Sequence, residues 1–131
     1  MLVRRGPAIV LSLVLSAAAL ALAPSATAGD GGTVKDVTGC EKESRAKLKV
    51  ELQSDNRFEV TGIVWSDDED TWDWKFKHNG EVAFNGDVKA KDADKSFKIV
   101  RPMVNFAGPD TFVFRAQNRN TNEICRVDLV Y

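Results

Sequence analysis

The chain has 131 residues, with 18 Lys and Arg against 19 Asp and Glu, one His and two Cys. Its near-neutral balance excludes the clustered basic excess that draws a domain to nucleic acid or to an anionic membrane. Two cysteines and one histidine also exclude a four-ligand structural zinc site built without carboxylates.

The first segment, residues 1–28, reads as a cleavable secretory signal peptide with a helical apolar region. Arg4 and Arg5 precede the strongly apolar run from Ala8 to Ala23, and Ala26-Thr27-Ala28 places small residues where a signal peptidase reads. An uncleaved anchor is the rival reading, but Pro24, Ser25 and Thr27 suit a cleavage region better than a lipid-facing helix. Either way the remainder is expected outside the cell. Cleavage removes two basic residues and no acid, so the exported part carries a charge of about −3. Its length suffices for one modest core and no second domain. No sorting signal follows Tyr131, which favours release as a secreted, extracellular protein without membrane attachment.

Residues 29–38, with Gly29, Gly31 and Gly32, read as a flexible leader, and 39–131 as the folded domain. From there the hydrophobic period is two. Leu48, Val50 and Leu52 alternate with Lys47, Lys49 and Glu51; Trp72, Trp74 and Phe76 alternate with Asp73, Lys75 and Lys77; Cys125, Val127 and Leu129 alternate with Arg126 and Asp128. Turn signals at 54–56, 79–80, 85–86, 92–94, 108–110 and 118–122 separate the runs. The pattern predicts an all-β domain of about seven antiparallel strands at 45–53, 57–65, 72–78, 81–91 (continuous or broken at Gly86), 95–101, 111–118 and 123–131, in a sandwich or barrel. Cys40 and Cys125 fall near the two ends of this domain. An oxidising exterior favours a bond between them, an intermolecular bridge or two free thiols being the alternatives.

Trp74, His78-Asn79-Gly80-Glu81, the run from Asp94 to Ile99 and the run from Asp110 to Asn118 together resemble strands C, E and F of an immunoglobulin-like β-sandwich. Phe114 stands where that family places its second core cysteine, with Val60 or Gly62 opposite, and Phe112 replaces the corner tyrosine. In the resembled topology the first and last strands are neighbours, which suits a Cys40–Cys125 bridge. The Trp65-to-Trp74 stretch with the later Asp92-to-Phe97 segment is also similar to small secreted actinobacterial proteins without assigned activity, which implies a bacterial exported protein.

The densest polar feature is Asp67-Asp68-Glu69-Asp70, with Asp73 behind it and Trp65 and Trp72 on either side. The resemblance implies that this loop shares one end of the sandwich with Asp92, Asp94 and residues 118–122, where carboxylates would converge as calcium requires. The spacing fits no calcium loop, because Phe97 stands where an EF-hand needs glycine; a solvated acidic turn is the plainer expectation, and no cofactor is implied. His78 is the only imidazole available to a serine or cysteine nucleophile, has no nucleophile elbow near it, and reads as a turn or surface residue. A domain of this size leaves little room for the cleft of a glycoside hydrolase.

The expectation is a monomeric, non-catalytic binding module that meets an extracellular protein or carbohydrate through Trp65, Asp67, Asp68, Glu69, Asp70, Trp72 and Asp73. An inhibitor of an extracellular hydrolase is the alternative.

Overall fold

Alternating apolar and polar side chains bury their apolar set only on one face of a sheet, so two such sheets must pack face to face. In a computed structural model that describes residues 32–131, they do so with eight strands: β1 (Thr33–Gly39), β2 (Arg45–Leu52), β3 (Arg57–Trp65), β4 (Thr71–His78), β5 (Glu81–Lys89), β6 (Ser96–Val104), β7 (Thr111–Asn118) and β8 (Ile124–Val130). One antiparallel sheet has the order β1-β2-β3-β6, the other β5-β4-β7-β8. The architecture is an all-β sandwich. The signal peptide assigned to residues 1–28 lies outside the described residues.

The leader reading is corrected. Six of the ten residues assigned to the leader, 33–38, belong to β1, which pairs antiparallel with β2 from Thr33↔Glu51 to Gly39↔Arg45. Only Val34 is buried in it, so the strand carries almost no hydrophobic pattern and forms because β2 offers a free edge.

Of the two alternatives at Gly86, the continuous strand is the one that forms. β5 runs through it, with Gly86 opposite Trp74. A Cβ there would lie 3.0 Å from the Trp74 indole, so the glycine makes room for the ring and forms no turn. β6 continues past Pro102, which an edge strand tolerates. Asn79 and Gly80 take φ of 50° and 87° in the β4–β5 hairpin, as the two-residue turn requires.

The core joins Leu48, Val50, Phe58 and Val60 of one sheet to Trp72, Trp74, Phe76, Phe112, Phe114 and Val127 of the other. Phe114 fills the space over Gly62, whose absent side chain admits the ring. Phe58 meets Phe112 edge to face at 5.3 Å, a favoured aromatic arrangement.

The two sides of the sandwich differ. On one, β1 lies against β8, and Cys40 is disulfide-bonded to Cys125 across the gap. On the other, β5 and β6 are the free edges of their sheets.

Candidate functional site

The β3–β4 loop, residues 66–70, meets the β5–β6 and β7–β8 loops at one end of the sandwich. Ser66 N–H donates to the Lys95 carbonyl at 2.9 Å, Ala90 N–H to the Asp70 carbonyl at 3.0 Å and Arg119 N–H to the Thr71 carbonyl at 2.9 Å. This is the gathering of loops expected at that end.

Within it the acids have separate duties. Asp68 Oδ1 accepts the Asp70 N–H at 2.9 Å, and Asp70 Oδ2 accepts the Asn118 amide at 3.0 Å. Asn118 is buried, and its Oδ1 accepts the N–H groups of Asn120 and Thr121 at 2.7 and 3.1 Å. Burial, with Asp70 beside it, raises the Asp68 carboxyl above its ordinary value. Hydrogen bonding to Asp68 and Asn118 lowers that of Asp70. Asp73 points outward and takes the Arg119 guanidinium through both oxygens at 2.8 to 3.2 Å, which lowers the Asp73 carboxyl; Asp87 adds a contact at 3.3 Å. Asp67 and Glu69 are left exposed at the tip.

The tryptophans divide. Trp72 is fully buried, with its Nε1–H donating to Ser66 Oγ at 3.2 Å; it braces the loop from inside the core and is withdrawn as a contact residue. Trp74 is buried as expected. Trp65 is half-buried at the strand end, with the Arg45 guanidinium 5.1 Å above its ring.

The carboxylates do not converge. Asp92 and Asp94 are exposed in the β5–β6 loop, where Asp94 accepts the Ser96 hydroxyl. Among the described residues no group of three or more His, Cys, Asp or Glu side chains is placed to hold a metal ion. A cleft of ≈ 90 Å³ lies between Ser44, Ser66, Asp68, Asn118 and Glu123, well below the roughly 300 Å³ at which small-molecule pockets begin.

Two polar centres were not anticipated from the sequence, although strand parity offered a signal for the second. Glu123 is buried and accepts from Lys42 N–H, Ser44 N–H and Ser44 Oγ–H at 2.8, 3.1 and 2.9 Å, tying the β1–β2 loop to the start of β8 beside the disulfide. The second is His78, whose surface reading is corrected. It is buried, stacks on Phe112 at 4.5 Å and shares a 2.8 Å hydrogen bond from Nε2 to Asp110 Oδ1, with Asp110 itself buried. The even positions of β4 face the core, and His78 continues the Trp72, Trp74, Phe76 series.

His78 lies in the wall of a groove of ≈ 310 Å³ at the opposite end of the open side, lined also by Arg57, Val82, Phe84, Val104 and Phe106. That lining contains no serine, threonine or cysteine.

No family model matches the chain, and no curated protein or solved structure matches it either. Among the described residues, no helix is long and apolar enough to cross a membrane.

Proposed function

We propose that the chain is an exported, non-catalytic binding domain of the immunoglobulin-like type that recognises an extracellular protein or carbohydrate through its acidic loop end. The observation that carries this reading is the bracing of the β3–β4 loop. Asp68, Asp70, Asn118 and the Trp72 indole hold it from within, while Asp67 and Glu69 face solvent. A loop already ordered before contact loses little conformational freedom on binding. Strand order supports the family reading: β2-β3-β6 facing β5-β4-β7-β8 corresponds to strands A, B and E packed on C′, C, F and G, with β1 added outside. The Cys40–Cys125 bridge supports an oxidising destination. The groove around the only histidine, with Nε2 engaged by Asp110 and no nucleophile beside it, supports a non-catalytic role. The mutual hydrogen bonding of the loops favours this over the inhibitor reading, which needs one loop projecting alone.

The test is a pull-down from culture supernatant with protein expressed from the full chain and with a Asp67→Asn, Glu69→Gln variant. The variant is expected to lose the partner recovered by the unaltered protein. An identical partner set from both would sink the proposal.

A further inference from the structure

The open side of the sandwich combines three observations. Sheet edges attract another strand, and folds with exposed edges blunt them. β6 is blunted by Pro102 and by Arg101, which points inward in phase with Ile99 and Met103. β5 has no proline along Glu81–Lys89, and its one bulge, at Ala83, leaves the stretch from Phe84 to Lys89 in regular register.

Apolar side chains also cluster here. Val82, Val104 and Phe106 are each about half exposed and line the same groove as Phe84 and Met103. Contiguous exposed apolar surface rimmed by polar groups marks an interaction site.

The third observation is charge. The Arg57 side chain lines the groove and makes no hydrogen bond or ion pair among the described residues. Arg101 lies 5.1 Å over the Trp74 ring and 5.9 Å from the Phe84 ring, and its one hydrogen bond goes to its neighbour's carbonyl at 2.8 Å. Two guanidiniums without a carboxylate partner therefore stand at the open side, against one carboxylate, Glu81, in the groove's lining. Their planar donor forks suit carboxylates.

We propose that this open side is a docking groove for an extended acidic segment of a partner protein, added as a further strand on the free edge of β5. Main-chain hydrogen bonds to β5 supply affinity, and alternate side chains supply selectivity. Successive inward-facing positions of the added strand are alternately apolar, covering Phe84 and Phe106, and acidic, meeting Arg101 beside Phe84 and Arg57 in the groove wall. This surface is separate from the acidic loop end, so either reading survives failure of the other.

The probe is a fluorescein-labelled Val–Glu peptide, Val-Thr-Glu-Thr-Val-Thr-Glu-Thr-Val, nine residues long to match β5 and alternating Val and Glu along one face, titrated into protein produced from the full chain. Controls replace Glu by Lys (Val–Lys) or Val by Ser (Ser–Glu) on that face. Expected are saturable anisotropy for Val–Glu alone, weakening with added salt, and slowed amide exchange along β5. Arg57→Glu, whose side chain has no hydrogen bond or ion pair to lose, is expected to weaken binding by about tenfold or more; Arg101→Gln should do the same, with near-ultraviolet dichroism checking that Trp74 stays packed. Failure of Val–Glu to saturate, equal binding of Val–Lys, or unchanged affinity in Arg57→Glu overturns the proposal. Concentration-dependent self-association that excludes the peptide overturns it in favour of a second copy.

Discussion

At the scale of single residues, several positions are decided by what lies across the core. Gly62 sits in the middle of β3, where glycine normally weakens a strand, because the Phe114 ring occupies the volume a side chain would fill; a Cβ would stand 2.6 Å from its Cε1. A large-to-small fit thus joins the two sheets at this point. Gly62→Ala is expected to destabilise the domain by about 1–3 kcal/mol, because Phe114 is fully buried and cannot swing out. Urea unfolding measures this; a variant as stable as the parent would show that the ring has room to yield. His78 shows the opposite case. Its neighbours Asn79-Gly80 announce a turn, and the turn is there, yet the imidazole follows strand parity into the interior. No local feature reveals Asp110, which is 32 residues away.

Among elements, the strands bounded by turn signals were readable, and the edge strand β1 was not. β2, β3, β4, β7 and β8 bury every second side chain and stand within about two residues of their expected bounds. β1 is an edge strand with one buried apolar residue, so its sequence is indistinguishable from a polar leader. The β3–β4 loop was visible as an acid run, but its internal division of labour was not.

That division has a pH consequence. Asp68, raised by burial, is destabilising when ionised, so its favourable contribution is lost as pH rises from its ordinary value of 3.8 through its raised folded value. Asp70 and Asp73, both lowered, act in the other sense: their contribution is present above 3.8 and is lost as pH falls through their folded values. Solvent exposure keeps the Asp73–Arg119 contribution small, since both side chains are 53% exposed. Asp68→Asn keeps an acceptor for the Asp70 N–H and removes the first effect. The stability of this variant relative to the parent is expected to increase on going from about pH 3 to about pH 7, as read by urea midpoints. A difference that stays constant, or shrinks, contradicts the burial of that carboxyl.

For the whole molecule, the disulfide closes one side of the sandwich and leaves the other open. It joins residues 85 apart in sequence, so the chain-entropy estimate for its loss is about 4.5 kcal/mol as an upper figure. Cys40→Ser with Cys125→Ser is expected to lower the melting temperature strongly and to release amide protection first in β1, which has little apolar burial of its own. Uniform loss of protection across both sheets would mean instead that the bridge supports the entire core. Composition and period by themselves determined that the domain is all-β, which runs form its central strands, and that its two cysteines lie near its ends. These follow from local alternation, which any half-buried strand must show. Only the tertiary structure decided that β1 exists, that Glu123 is buried, that His78 meets Asp110, and that Arg57 lines an open apolar groove. Each of those depends on a partner distant in sequence, and burial is a property of the neighbours a residue acquires on folding rather than of the residue itself.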